Sequence, residues 1–175
     1  MLAHLFVPDM YIQSYQTLNL ELLKKKGIKL LICDIDNTLV PHDVKIPQKE
    51  TIEFINKVKH SGLQICIISN NTKNRVEEFC KDLNVPYVYS ARKPLHKGFR
   101  QIKKKFHLEK HEMAMMGDQL LTDILGANSY GCFTILATPL VVRDITVTKI
   151  NRRFENMVFH NLEKNNKFRR GEYYE

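Results

Sequence analysis

Apolar residues follow two alternating rhythms along the 175-residue chain. Short continuous runs lie at 29–34, 64–68, 87–89, 112–116 and 132–136, and their length suits buried strands. Between them the spacing changes to threes and fours. Ile52, Phe54, Ile55 and Val58 share one broad face over 48–60, a helix opened by Pro47 and ended by Gly62. Val76, Phe79, Cys80 and Leu83 make a narrower stripe over 72–83. Leu95, Phe99, Ile102 and Phe106 fall within about 40° of one another at 100° per residue, which predicts a helix over 94–106 opened by Pro94. Further helices are predicted over 119–129 and, capped by Thr17, over 18–26. The latter ends in Lys24, Lys25, Lys26 and Gly27, a favourable C-terminal composition. Strands alternating with helices predict an α/β fold: a Rossmann-like parallel sheet with helices on both faces. The length suits one domain over 1–175. Residues 1–27 read as an N-terminal extension, and about 140–175 as a basic, amphipathic C-terminal segment.

In sheets of this kind ligands gather at the carboxyl edge, where the strand order reverses. The chemistry-bearing residues of this chain fall at those strand ends. Asp34-Ile35-Asp36-Asn37-Thr38 follows the first core strand, and Ser69-Asn70-Asn71 follows the second. Lys93-Pro94 comes next, then Gly117-Asp118-Gln119-Leu120-Leu121-Thr122-Asp123. Asp34, Asp36, Asp118 and Asp123 share one crevice if the first and fourth strands are neighbours. Carboxylates that close repel one another, and a divalent cation removes that cost. Hard oxygen donors suit Mg²⁺. Ser69 and the Asn70 amide precede a helix, where a phosphoryl group is well held, although the same residues also make an ordinary helix cap. Lys93 can offset phosphoryl charge, and Lys97 is a second candidate for that place. The chain contains no G-x-x-x-x-G-K-[ST] and no G-x-G-x-x-G.

The order and spacing of the four motifs resemble the haloacid dehalogenase superfamily of phosphohydrolases. Phe6-Val7-Pro8-Asp9, the stretch Asp34 to Val40, the stretch Gly117 to Asp123, and Thr148 to Arg152 with Glu155 are similar to the YqeG family of subclass IIIA phosphatases. That family in turn resembles the mitochondrial phosphatidylglycerophosphate phosphatases. The resemblance covers about residues 5–158. It implies a sheet ordered 5-4-1-2-3 and a Mg²⁺-dependent phosphomonoester hydrolase working through an aspartyl-phosphate. It makes Asp34 the nucleophile and Asp36 the acid and base, with Lys93 as the charge partner. Phosphate falls to Ser69, Asn70 and Thr38. The metal falls to Asp34, Asp118 and the Asp36 carbonyl, with Asp123 in support. The implied reaction converts phosphatidylglycerophosphate to phosphatidylglycerol.

Composition narrows the setting. Asp34 and Ser69 are 35 residues apart and Asn71 and Lys93 are 22 apart, and both intervals are filled by predicted elements. No room remains for a cap domain, so the crevice should be open and suited to large or surface-bound phosphates. A net charge of +8 favours anionic partners. Lys97, Arg100, Lys103, Lys104 and Lys105 on 94–106, and Arg152 and Arg153 beside Ile150, Phe154, Met157, Val158 and Leu162 on 148–162, give two amphipathic basic segments. Each suits an anionic membrane surface, although an apolar stripe on the core with a solvated basic face is the more ordinary reading. Two other functions stay open: a phosphatase of a soluble nucleotide or sugar phosphate, and a nucleic-acid-binding protein. No nucleic-acid module is recognisable, which speaks against the second. Cys33, Cys66, Cys80 and Cys132 lack metal or disulfide spacing, and His107 and His111 read as surface residues. With no leader and no membrane-length apolar run, the expectation is a cytoplasmic protein with access to the inner face of the membrane.

Overall fold

The computed structural model describes residues 2–141, 156–165 and 168–175. Its strands are β1 (Met10–Ile12), β2 (Leu30–Cys33), β3 (Gln64–Ile68), β4 (Tyr87–Val88), β5 (Met113–Gly117) and β6 (Phe133–Ala137). Its helices are α1 (Leu20–Lys25), α2 (Lys49–His60), α3 (Lys73–Cys80), α4 (Lys97–Phe106), α5 (Leu125–Tyr130) and α6 (156–164). A π-helical turn, Leu120–Ile124, leads directly into α5. All strands pair in parallel in one sheet ordered β1-β6-β5-β2-β3-β4. Setting β1 aside, this is the expected 5-4-1-2-3.

β2 lies between β5 and β3, and Leu30 to Cys33 are wholly buried on both faces. That explains why its sequence is apolar without alternation. Leu31 and Cys33 join Ile65, Ile67, Ala114 and Met116 in a layer closed by Leu23, Phe54, Ile55, Val58, Val76 and Phe79 from α1, α2 and α3. Leu30 and Ile32 face the other way, towards Phe99 and Ile102 of α4 and Ala127 and Tyr130 of α5. Helices therefore cover both faces.

Several boundaries differ from the sequence reading for local reasons. Residues 10–12 of the expected N-terminal extension form an edge strand beside β6. Only three residues long, the strand shows too little periodicity to be read. Thr17 does not cap α1: its hydroxyl bonds the Ser14 carbonyl within a 3₁₀ turn. Asn19 caps the helix instead, accepting from the Leu22 amide at 3.1 Å. α4 begins at Lys97 rather than Pro94, because residues 93–96 turn to carry Lys93 into the sheet edge.

Of the expected 148–162 helix, Ile150, Arg152, Arg153 and Phe154 lie outside the described residues. In α6, Leu162 is buried and Val158 half-buried against Tyr11, Leu136 and Phe168, while Met157 is exposed. This part of the segment packs on the core. Beyond it, Tyr174 pairs with Tyr11 through two backbone bonds of 2.8 and 2.9 Å, covering the free edge of β1. The four cysteines are buried and unpaired, and His107 and His111 are exposed, as expected. Among the described residues no helix is long and apolar enough to cross a membrane.

Candidate active site

Because β2, β3 and β5 are adjacent and parallel, Asp34, Ser69 and Asp118 leave the sheet at one edge. The Asp34 amide donates to the Met116 carbonyl at 3.0 Å, extending the β2–β5 ladder to the first residue of the loop. The loop then folds around Ile35, which is fully buried and whose carbonyl accepts the amides of Thr38, Leu39 and Val40. Asn37 sits at φ +60°, a region that asparagine tolerates better than most residues. This tight turn fixes Asp34 and Asp36 at the sheet edge.

Lys93 reaches between two acids. Its ammonium donates to Asp34 Oδ1 at 2.7 Å and Asp123 Oδ1 at 2.6 Å, and all three groups are buried. Asp34 is raised to about 7 by several opposing causes, of which burial, pushing it up, is the largest. Lys93 pulls it down, and the Asp123 and Asp36 carboxylates push it up again. Burial acts to lower Lys93, but Asp123 and Asp34 outweigh it and hold the ammonium above its usual range. Oxygens of Asp34, Asp118 and Asp123 lie within 4.8 Å of one another. With all four groups ionised, three carboxylates against one ammonium leave two negative charges in a confined space. One divalent cation with a preference for oxygen would neutralise them.

The second oxygen of Asp123 accepts the Gln119 amide at 3.1 Å, so both of its oxygens are engaged within the protein. That arrangement suits support of an ion more than direct ligation. Gly117 makes it sterically feasible: a Cβ there would lie 2.3 Å from the Asp123 carboxyl group. Thr38 is buried, and its hydroxyl donates to Asp118 Oδ1 at 3.3 Å, so its contact is with the acidic cluster rather than with open space.

Asp36, at the mouth, is gripped by Asn71, a motif residue to which the sequence reading gave no role, and by Arg75, which it did not single out. Asn71 Nδ2 donates to its Oδ2 at 2.8 Å and Arg75 Nη2 to its Oδ1 at 2.9 Å. Arg75 also bonds the carbonyls of Val44 and Lys45. It thereby ties α3 to the long loop after β2. The available signal was its position four residues after Asn71 in the first turn of a helix that starts at the site.

Ser69 is buried, and its hydroxyl oxygen accepts the Asn71 amide at 3.1 Å, a serine turn rather than the helix cap considered from sequence, since Thr72 is the N-cap of α3 and makes no side-chain cap bond. Its hydroxyl proton remains available to an anion. Asn70 has a side-chain function that was not expected. Its Nδ2 donates to the Lys93 carbonyl at 2.9 Å, and its Oδ1 accepts the Lys93 amide at 2.6 Å. This two-point bond places the Lys93 backbone. The structure thus brings Asp34, Asp36, Thr38, Ser69, Asn70, Lys93, Asp118 and Asp123 to one edge. Lys97 lies exposed at the start of α4, and Lys93 occupies the inner position.

A sheet of this order, with an Asp-Ile-Asp-Asn-Thr loop leaving its centre, is the architecture of the haloacid dehalogenase hydrolases, and the chain is a phosphatase of that class. Its sequence carries the assignment further. The chain belongs to the mitochondrial PGP phosphatase family, whose model matches residues 2–142. It is 37% identical over 164 residues to the probable phosphatase YqeG of Bacillus subtilis, a match that covers 94% of this chain and 95% of that protein. It is also 27% identical over 146 residues to phosphatidylglycerophosphate phosphatase 1, chloroplastic/mitochondrial, of Arabidopsis thaliana, covering 77% of this chain and 41% of that protein. Among solved structures, the 3-deoxy-D-manno-octulosonate 8-phosphate phosphatase of Moraxella catarrhalis, in complex with a magnesium ion, a phosphate ion and KDO, has a similar fold. The TM-score is 0.51 at 17% identity, over 82% of this chain and 97% of that one.

Proposed function

We propose that the chain is a Mg²⁺-dependent phosphomonoester hydrolase that removes the terminal phosphate of phosphatidylglycerophosphate through an aspartyl-phosphate. The observation that carries this is the cluster of Asp34, Asp118 and Asp123 within 4.8 Å, with Lys93 bonded to two of its members. Asp34, Asp118 and the Asp36 carbonyl would hold Mg²⁺, with Asp123 in support, and the ion would supply positive charge against the carboxylates and the phosphoryl group.

Lys93 engages one oxygen of Asp34, which leaves the other for attack on phosphorus. As that bond forms, the bond from phosphorus to the glycerol oxygen breaks, and Asp36 gives its proton to the departing oxygen. Asp36 then takes a proton from water, whose oxygen attacks the phosphorus. The aspartyl–phosphorus bond breaks, inorganic phosphate leaves, and Asp34 returns as a carboxylate. Ser69 Oγ–H and the Asn70 amide would bond the phosphoryl oxygens. Thr38 acts beside them through Asp118.

The lipid substrate is supported by the family and by the name of the Arabidopsis relative. It also agrees with a crevice bordered by short elements rather than a cap. The reading takes the whole chain as one domain, working in the cytoplasm at the surface of the membrane that holds its substrate. The test is phosphate release from phosphatidylglycerophosphate in mixed micelles, run beside a panel of soluble phosphomonoesters. EDTA should stop the reaction and Mg²⁺ restore it. Asp34→Asn should lower turnover by about 10⁴-fold or more while leaving the fold intact. Full activity in that variant, or indifference to chelator, rejects the mechanism. Turnover confined to soluble esters rejects the lipid and keeps the chemistry.

A further inference from the structure

Large apolar side chains left in solvent are unevenly distributed. Among the described residues three of them, Met157, Tyr173 and Tyr174, belong to the C-terminal segment, and the other five are Ile46 and Leu95, 62% and 63% exposed, with Ile52, Tyr89 and Leu140. All five lie in segments that leave the carboxyl ends of β2, β4 and β6. Leu95 is two residues from Lys93. Leu140 donates its amide to the Asn37 carbonyl at 2.9 Å. Ile46 follows Lys45, whose carbonyl is held by the same Arg75 that grips Asp36. Among the described residues, the turns between elements at the opposite edge of the sheet leave no large apolar side chain exposed: Ile28, Leu63, Leu83, Val85 and Cys132 are buried and Leu108 is half-buried.

Cations alternate with these residues. Lys45, Arg92 and Lys97 are exposed beside Ile46, Tyr89 and Leu95, and none has a carboxylate within ion-pair distance among the described residues. By contrast, Lys103, Lys104 and Lys105 lie at the far edge. α4 runs against the strands, and its last residue, Phe106, borders Leu63, Gln64 and Pro86 at the starts of β3 and β4. At a rise of about 1.5 Å per residue the triplet lies about 9–12 Å along the helix from Lys97, beyond the ~8 Å over which physiological salt screens charge. A flat surface that meets the site cannot also meet those lysines.

We infer that the carboxyl edge of the sheet is a docking face for an anionic phospholipid surface. Ile46 and Leu95 enter the headgroup boundary, and Lys45, Arg92 and Lys97 meet lipid phosphates. This deepens the lipid-substrate reading, on which it rests for its setting, and it identifies the surface that brings a membrane-held phosphate to Asp34.

The test is sedimentation of the full chain with vesicles of phosphatidylglycerol and phosphatidylcholine, beside vesicles of phosphatidylcholine alone, at low and physiological salt. The wild-type chain should bind the anionic vesicles more tightly, and more weakly as salt rises. The pair Ile46→Glu and Leu95→Glu should lower anionic-vesicle binding about tenfold or more. It should hydrolyse p-nitrophenyl phosphate within about twofold of wild type, which also reports its folding. The triple change of Lys103, Lys104 and Lys105 to Glu should bind within about twofold of wild type. Unchanged binding by the Ile46/Leu95 variant overturns the inference, as does an equal loss in the lysine variant or absence of vesicle binding at low salt. Vesicle binding that depends on Ile46 and Leu95, without phosphate release from phosphatidylglycerophosphate, supports the docking face and rejects only the substrate.

Discussion

Asn70 shows how a residue next to a motif can matter through its side chain as well as its backbone. Its amide group closes a ring of two hydrogen bonds on the Lys93 peptide, and Lys93 in turn joins Asp34 to Asp123. Misplacing a charge by about 1 Å can cost a reaction on the order of 10²-fold. Asn70→Ala should therefore lower kcat about 10- to 100-fold and leave KM for a soluble ester nearly unchanged, because the backbone amide assigned to phosphate is kept. Steady-state kinetics of that variant beside Asn70→Ser would separate the roles. A rise in KM alone would show that the side chain serves substrate binding instead. Arg75 belongs to the same scale. It joins Asp36 to two loop carbonyls, so the proposed acid and base sits in a fixed cradle rather than on a free loop tip.

At the scale of elements, the edge strand and the C-terminal segment depend on each other. β1 offers β6 only three residues, and its outer side is covered by Tyr174. Leu162 and Phe168 fill the layer under Tyr11, Ile124 and Leu136, where the π-helical turn that bears Asp123 also packs. Leu162→Ala should cost about 2–5 kcal/mol, the range for removing a buried leucine, read from the midpoint of a urea unfolding curve. Because the lost packing touches the element that carries Asp123, activity should fall with stability. A stability loss below about 0.5 kcal/mol, the level of ordinary surface substitutions, would mean that this helix does not hold the layer together.

For the whole molecule, the buried charges couple stability to pH and to metal. Asp34 titrates near 7 in the folded protein, above the ordinary value of about 4 expected for an unfolded chain. A raised value means that its contribution to stability is complete below about pH 4 and is lost as pH climbs through about 7. Lys93 is also raised, so its contribution persists across that whole window. An ion ligated by Asp34 must displace the Asp34 proton. The rise in Tm produced by Mg²⁺ should therefore be larger at about pH 8 than at about pH 5. Equal shifts at both values, measured by thermal unfolding with and without EDTA, would show that Asp34 is not where proton and metal compete.

The sequence by itself determined the strand runs, the helix faces and the four motifs. Each is written in a few neighbouring residues: the apolar run 29–34 makes a strand, and the acids after it must then lie at its end. From that much, the position of Asp34, Ser69, Lys93 and Asp118 on one sheet edge was legible. What only the tertiary structure decided depends on residues far apart in the chain. The Arg75–Asp36 bond spans 39 residues and the Asn70–Lys93 pair spans 23. β1 is a strand because β6 lies beside it, since three residues carry no period of their own. The orientation of the lysines is the clearest case. Periodicity placed Lys103, Lys104 and Lys105 away from an apolar stripe, but it could not say which edge of the sheet they occupy. That depends on the direction in which α4 packs across the strands, and it puts those lysines at the end remote from the site.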